Sequence, residues 1–213
     1  GLMKNLIIIT SVINTSKNPL DYTKVRSVYS QQERYEQTIK TIESCSKIKD
    51  KEIIFIETSK ISESQEEEIK KKVDYYYNFL ENDEIKNVID GASKGSAEST
   101  QIWEGLKNIN IEDYDNIIKI SGRYWFSDDF EYENYNNNEN IFKEGPNKSA
   151  LATVMYKINK KDYELYRTTL NHSKDNNEML EKNFVKFFLN KYITLPKIGV
   201  EGNVSVDGNY INW

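Results

Sequence analysis

The chain of 213 residues has one cysteine and one histidine, and this excludes several common kinds of site. The single thiol, Cys45, can form no disulfide within the chain and favours a reducing compartment. One cysteine and one histidine cannot supply the ligand clusters that hold structural zinc. Any Ser-His-Asp triad would have to use His172. This residue lies in a polar stretch between two predicted helices, where we expect a solvent-exposed side chain instead of a catalytic one.

Long apolar runs and an excess of positive charge are also lacking. No run approaches the ~18 apolar residues of a membrane span, and the N-terminus has no signal-peptide pattern. With 34 acidic and 29 basic residues the net charge is −5, which disfavours both duplex nucleic acid and an anionic membrane as partners. The 15 tyrosines argue against disorder. We therefore expect a folded, cytoplasmic protein without a transmembrane segment.

Strand-like and helix-like segments alternate in the first half of the chain. Apolar runs predict strands at 4–13, 52–59, 86–90 and 114–121. Helical spacing predicts helices at 31–47 and 61–82, and a third that begins at Ser96 or Ser99. Ser30 and Glu33 have the spacing of a capping box. The order β-α-β-α-β-α-β predicts a parallel sheet with right-handed crossovers.

The second half predicts a mixed sheet within the same single domain, 1–213. A strand is expected at 150–158, helices at 160–173 and 177–192, and a strand pair with a tight turn at Asp207-Gly208. Residues 127–149 are predicted to form a polar loop, and its Asn-rich part is a candidate cover for bound substrate.

Ligands of open parallel sheets bind outside the carboxyl ends of the strands, and this rule selects the candidate site residues. The predicted strand ends carry Thr10 and Ser11, Glu57 and Thr58, Asp90 and Gly91, and Ser121, Gly122 and Arg123. Cations lie beside them at Arg26 and Lys94, the latter followed by Gly95. Such convergence on an acidic protein predicts an anionic ligand, bound with help from the N-terminus of the third helix.

Five motifs together resemble small bacterial and viral glycosyltransferases of the GT-A fold. They are IIITSVI (7–13), RSVYS-x-x-ERY-x-QTI-x-TI (26–42), IIFIE (53–57), KGSAE (94–98) and IIKISGRYW (117–125). The resemblance implies a Rossmann-like GT-A domain, with a nucleotide-sugar donor bound by 4–125 and a glycan or other hydroxyl acceptor by 126–213. It implies a UDP- or GDP-sugar, used for surface polysaccharide, lipopolysaccharide or viral glycan assembly.

The chain departs from this family at the metal motif. GT-A enzymes usually carry Asp-x-Asp at the carboxyl end of the fourth strand, where the chain has Ser121-Gly122-Arg123. A literal match, Asp113-Tyr114-Asp115, starts that strand, roughly 26 Å from the ligand edge at ~3.3 Å per residue. Two alternatives stay open. Either Arg123, with Lys94 and Arg26, neutralises the diphosphate, or Asp128 and Asp129 hold Mn²⁺ or Mg²⁺.

Transfer by inversion also needs a carboxylate that deprotonates the acceptor hydroxyl. Asp128 and Asp129 are favoured because they follow the predicted donor site. Glu178 and Glu181 are further candidates, expected one turn apart on one helix face. Tyr124 and Trp125 are candidates for a flat platform beneath a sugar or base. Arg34 is expected at the surface, paired with Glu33 or Glu36.

Two other functions fit parts of this pattern. The missing Asp-x-Asp is compatible with a degenerate glycan-binding or scaffolding domain. A sugar nucleotidyltransferase would share the layered architecture, but it normally has a Gly-rich loop after the first strand. The corresponding segment, NTSKNPLDYTKVRS (14–27), has no glycine, which argues against that class.

Overall fold

The computed structural model describes residues 1–15, 29–90, 94–204 and 207–213, with Lys94 and Gly95 described by their backbone alone. In the first half the elements are β1 (Asn5–Ser11), α1 (Gln31–Ser44), β2 (Lys51–Glu57), α2 (Glu63–Lys72), β3 (Tyr75–Asn78), α3 (Asp83–Ile89), α4 (Lys94–Leu106) and β4 (Asn116–Ser121). The second half contains β5 (Tyr124–Phe126), β6 (Ile141–Lys143), β7 (Met155–Asn159), α5 (Tyr163–Asn176), α6 (Leu180–Phe187), β8 (Ile193–Leu195), β9 (Val200–Asn203) and β10 (Tyr210–Asn212).

The central sheet has seven strands in the order β3-β2-β1-β4-β7-β6-β8, and a smaller sheet has the order β10-β9-β5. Strands β3, β2, β1 and β4 are parallel, whereas β7 is antiparallel to both β4 and β6. Every residue of β1 is buried, because helices cover both faces of the sheet at its centre. The predicted α/β class, with a parallel core and a mixed second half, is confirmed.

The position of the third strand was predicted wrongly. Helix α2 ends at Lys72, and the following tyrosines form β3, which pairs with 54–57 of β2. Aromatic residues favour an extended, half-buried strand. The predicted strand 86–90 belongs to α3, whose N-cap Asn82 accepts a hydrogen bond from Ile85 N. The alternation of strands and helices survives because one strand replaces the other, but two helices, α3 and α4, lie between β3 and β4.

The helix starts at 31 and at the beginning of α4 are close to their predicted positions. Ser30 caps α1 in a complete capping box with Glu33. In the second half, α6 is half as long as predicted, and β6 and β8 form a parallel pair not expected from the sequence. The predicted hairpin is confirmed as β9 and β10, with Gly208 at φ +74°.

The Asn-rich segment was a candidate cover for substrate at the strand carboxyl ends. The structure places it elsewhere. Asn136 Oδ1 accepts a hydrogen bond from Met3 N, 3.0 Å away, at the amino end of β1. Lys157 Nζ donates to the carbonyl oxygens of Tyr135 and Asn137 at 2.8 and 2.7 Å. These contacts place the segment at the opposite edge of the sheet. Within the part of the chain that the structure describes, no helix is long and apolar enough to cross a bilayer.

Candidate functional site

The ends of β1 and β4 approach each other closely where the site was predicted. Gly122 N donates a hydrogen bond to Thr10 O at 2.7 Å. A Cβ on Gly122 would lie 3.0 Å from that oxygen, so a larger residue would push the two strand ends apart. Thr10, Ser121 and Gly122 therefore meet at one edge, as the sequence predicted.

Arg34 reaches this edge from α1 and is only 3% exposed. Its Nε donates to Ile13 O at 3.0 Å, and its Nη2 donates to Val12 O. The expectation that Arg34 lies at the surface is wrong. It was missed because the acidic neighbours Glu33 and Glu36 suggested a solvated helix face, whereas Arg34 lies on the buried face.

Arg123 approaches the same place from the turn after β4, and its backbone is held at φ +74°. Arg123 N donates to Thr41 Oγ1 of α1 at 2.8 Å, which stabilises this unfavourable conformation. Nη1 of Arg123 is buried and has no hydrogen-bond partner among the described residues. Burial, and then the charge of Arg123, lower the pKa of Arg34 to about 9, so the two guanidinium groups repel each other.

Glu57 completes this arginine cluster, which we define as Arg34, Arg123 and Glu57. Its Oε2 accepts hydrogen bonds from Ile13 N, Thr58 N and Ser59 Oγ at 3.0, 3.2 and 2.6 Å. Its Oε1 is buried without a described partner. Burial raises the pKa of Glu57, and the neighbouring hydroxyls of Ser11 and Ser59 act in the opposite direction.

A second polar group, the lysine cluster, lies on the other face of the same edge. Lys119 of β4 is fully buried, and its Nζ donates to Glu98 Oε1 at 2.6 Å and to Ser121 Oγ at 2.8 Å. It also donates to Thr153 O. Glu98, in the first turns of α4, accepts from Thr10 Oγ1 at 2.9 Å through its other oxygen. Sequence reasoning missed Lys119 and Glu98, although a lysine inside the apolar run IIKIS was a usable signal.

Glu181 of α6 belongs to the lysine cluster, whereas Glu178 does not. Thr153 Oγ1 donates to Glu181 Oε1 at 3.2 Å. Burial and the neighbouring Glu98 carboxylate raise the pKa of Glu181, and Lys119 acts in the opposite direction. Glu178 precedes the helix and lies 3.4 Å from His172 Nε2. The prediction that both share one helix face is therefore wrong, because α6 begins only at Leu180.

The structure places Asp128 and Asp129 away from the strand carboxyl ends. Asp128 Oδ1 lies 3.4 Å from Lys47 Nζ, just after α1, and Asp129 Oδ2 lies 3.3 Å from Lys197 Nζ. Thirteen residues separate Arg34 from Lys47, roughly 20 Å along a helix. The expectation that this pair lies beside the donor site is wrong. After Arg123 the backbone follows α1 towards its C-terminal end, since Arg123 N contacts Thr41 and Phe126 N contacts Ser44. Asp128 and Asp129 therefore lie near the end of α1.

The strand ends do not offer the donor set of a divalent-metal site. No group of three or more His, Cys, Asp or Glu side chains converges within the described ranges. Ser121-Gly122-Arg123 supplies a guanidinium where carboxylates would hold the metal, and Glu98 is paired with Lys119. The literal Asp113-Tyr114-Asp115 match lies at the amino edge, where Asp115 Oδ2 accepts from Lys4 N at 2.8 Å.

The two aromatic candidates have different surroundings. Tyr124 is 8% exposed and packs against Gly202, where a Cβ would lie 2.3 Å from its ring. This burial does not support a platform role for Tyr124. Lys40 Nζ lies 4.0 Å from the centre of the Trp125 ring, and Trp125 Nε1 donates to Glu201 Oε2 at 3.3 Å. A platform at Trp125 stays a prediction.

Three predicted donor residues cannot be placed by their side chains. Arg26 lies outside the described residues, and so does the side chain of Lys94; the backbone of Lys94 and Gly95 begins α4. Ser11 O accepts a hydrogen bond from Gln101 Nε2 at 3.1 Å, which ties the end of β1 to α4.

Comparisons with known proteins find structural likeness without sequence likeness. No protein-family model matches the chain, and no curated protein does. A protein assigned as a nucleotide-diphospho-sugar transferase from Desulfovibrio desulfuricans G20 matches with a TM-score of 0.53 at 7% identity, over 91% of this chain and 80% of the other. Core-mannan synthase A from Aspergillus fumigatus, in its Mn/GDP form, matches with a TM-score of 0.52 at 9% identity, over 94% of this chain and 74% of the other. The PaToxG glycosyltransferase matches with a TM-score of 0.51 at 12% identity, over 89% of this chain and 70% of the other. The chain therefore has a GT-A-like fold.

Proposed function

We propose that the protein is a glycosyltransferase that moves a sugar from a nucleoside-diphosphate sugar to a hydroxyl acceptor. One observation carries the proposal. Two guanidinium groups, Arg34 and Arg123, are held together at the carboxyl edge of a GT-A-like sheet, despite their mutual repulsion. Glu57 offsets part of this positive charge, and a bound anion would stabilise the two guanidinium groups further. The carboxyl edge is also where open α/β sheets bind ligands.

The polar atoms without a partner suit a nucleotide donor. Arg123 Nη1 is a buried hydrogen-bond donor, and Glu57 Oε1 is a buried acceptor. Leaving such atoms unpaired costs about 1–3 kcal/mol each, so a bound ligand that pairs them gains affinity. A nucleoside diphosphate offers phosphate oxygens to the guanidinium and ribose or base donors to the carboxylate.

The arginine cluster would also stabilise the leaving group. Cleavage of the sugar–phosphate bond leaves added negative charge on the diphosphate, and fixed donors aimed at that charge lower the barrier. A guanidinium can bind two phosphate oxygens through its planar fork. One structural neighbour was solved with Mn and GDP, whereas no group of three or more His, Cys, Asp or Glu side chains converges among the described residues of this chain.

Glu181 is the carboxylate best placed to deprotonate the acceptor hydroxyl. It lies in the lysine cluster at the carboxyl edge, whereas Asp128 and Asp129 are tied to lysines elsewhere. Burial raises the pKa of Glu181, which makes its carboxylate a stronger base than an exposed one. Thr153 orients it by a hydrogen bond.

We extend this proposal to the finer points that the family resemblance implies. The donor would be a UDP- or GDP-hexose, and the acceptor a growing surface or viral glycan, handled in the cytoplasm. The halves 4–125 and 126–213 would bind donor and acceptor respectively.

A donor-hydrolysis assay tests the proposal. UDP- and GDP-sugars are incubated with the protein, and release of nucleoside diphosphate is followed without an acceptor. We expect slow release by the wild type and at least tenfold less by Arg123→Gln. Arg167→Gln is the matched control, because Arg167 lies in the first half of α5, which starts beside Tyr114 at the amino edge. No release from any donor, or equal loss in both variants, would sink the assignment.

A further inference from the structure

An exposed face of α6 combines apolar and basic side chains that no described residue covers. Met179, Lys182, Lys186 and Leu189 are spaced i, i+3, i+7 and i+10, so they lie along one side of the helix and its two ends. Met179 is 45% exposed and Leu189 65%. Exposed residues follow along the chain at Lys191 and at Ile193, which is 40% exposed on the edge strand β8. We call these six residues the basic face.

The concentration of these features is unusual for this chain. Three of the five large hydrophobic side chains that are exposed in the described part of the molecule belong to the basic face. The stretch 182–200 contains four lysines and no aspartate or glutamate, although the whole chain has a net charge of −5. Lys197 is paired with Asp129, but Lys182, Lys186 and Lys191 form no ion pair with any described residue.

The acidic groups beside the basic face form no ion pair with its lysines among the described residues. Asp162 accepts a hydrogen bond at 2.7 Å from Asn140 Nδ2, which also donates to Lys191 O. Glu178 lies next to Met179, and its carboxylate is 3.4 Å from His172 Nε2. Glu181 points into the lysine cluster, where Thr153 binds it. Lys182, Lys186 and Lys191 therefore lie among exposed apolar groups without an ion pair in the described part of the chain.

We propose that the basic face docks this protein on the surface of an anionic lipid bilayer. Apolar side chains enter the boundary between headgroups and acyl chains, while lysines on the same helix reach the phosphates. An anionic bilayer complements both parts of the face, since each basic residue near such a surface contributes attraction. This inference rests on no part of the proposed function.

Two other occupants fit the face less well. A symmetric dimer through this face would bring Lys182 and Lys186 against their own copies, because a two-fold interface pairs a patch with itself. A nucleic acid would satisfy the lysines, but it would leave Met179, Leu189 and Ile193 without an apolar partner. The dimer is an outcome that the experiment below distinguishes.

Vesicle co-sedimentation of the full chain tests the proposal. We expect binding to vesicles of phosphatidylcholine mixed with phosphatidylglycerol, little binding to phosphatidylcholine alone, and weaker binding at high salt. Replacing Lys182, Lys186 and Lys191 by Gln should lower the partition coefficient roughly fivefold each and about 100-fold together. Leu189→Ser with Ile193→Ser should lower it about tenfold.

The matched control removes the same charge elsewhere. Lys49, Lys107 and Lys160 are paired with Glu133, Glu104 and Glu112, so their replacement by Gln changes the net charge equally without touching the basic face. We expect that control variant to bind vesicles like the wild type. The midpoint of thermal unfolding should be unchanged in all variants. No binding to anionic vesicles, equal loss in the control variant, or self-association in sedimentation that the Leu189→Ser, Ile193→Ser variant abolishes would overturn the proposal.

Discussion

Lys119 Nζ lies 2.6 Å from Glu98 Oε1, so a fully buried ammonium group meets a carboxylate at the carboxyl end of β4. Burial lowers the pKa of Lys119, and the charge of Glu98 acts in the opposite direction. The pair joins the central sheet to the first turns of α4, and Glu181 lies close enough to feel both charges. It thus links the stability of the strand ends to the ionisation of the proposed base.

Removing either partner should destabilise the fold by unequal amounts. Glu98→Gln leaves a lysine with no exposed surface, and breaking a buried pair in this way costs about 3–5 kcal/mol. Lys119→Met leaves Glu98, whose side chain is 19% exposed and can regain water, so we expect a loss of only about 1–2 kcal/mol. Urea unfolding measures both. A larger loss for Lys119→Met would contradict the arrangement.

The same two variants should move the pH profile of transfer in opposite directions. The Glu98 carboxylate raises the pKa of Glu181, so Glu98→Gln should shift the acid limb of kcat/KM to lower pH. Lys119 lowers that pKa, so Lys119→Met should shift the limb to higher pH. We expect displacements of up to about one pH unit. Lys160→Met is the control, since Lys160 is paired with Glu112 at the amino edge. Shifts in the same direction would refute Glu181 as the base.

Arg123→Gly should separate the function of this residue from its structure. Glycine adopts φ +74° without steric cost, and the change also removes a buried guanidinium with an unpaired Nη1. We expect the free energy of unfolding to stay constant or rise by up to about 1 kcal/mol, while nucleotide affinity is lost. Chemical unfolding and nucleotide titration of one preparation measure both quantities. A loss of stability above about 2 kcal/mol would show that Arg123 is mainly structural.

Lys157 should make the fold more stable as the pH rises above neutrality. Burial lowers the pKa of Lys157 from 10.5 to about 7. Between these values the unfolded chain binds a proton that the folded chain does not, so the free energy of unfolding increases with pH there. The slope from this group is at most about 1.4 kcal/mol per pH unit. Urea unfolding at pH 7 and pH 9 should show a smaller increase for Lys157→Met than for the wild type. Equal increases would contradict the shifted pKa.

Much of the fold was predictable because its strongest signals are local. The buried runs that became β1, β2 and β4 are continuous and β-branched, and the capping box marks the start of α1. The error at 61–90 has a physical reason. Helical spacing and a tyrosine run are ambiguous in sequence, and pairing with β2 decides that 75–78 is extended.

The site was predictable only where the backbone defines it. The rule about strand ends found Thr10, Glu57, Ser121 and Arg123, because these positions follow from strand order alone. It could not find Arg34, whose position depends on the direction that α1 takes across the sheet. It also misplaced Asp128, because adjacency in sequence says nothing about the reversal after Arg123 along α1.

Calorimetric titration with UDP and GDP in the presence of EDTA tests the central claim most directly. If the arginine cluster binds the diphosphate, one nucleotide binds the wild type without a divalent metal. Arg123→Gln should weaken that binding at least tenfold, whereas Arg167→Gln should leave it unchanged. Failure of both nucleotides to bind, or binding that appears only when Mn²⁺ replaces EDTA and is the same in Arg123→Gln, would contradict the account.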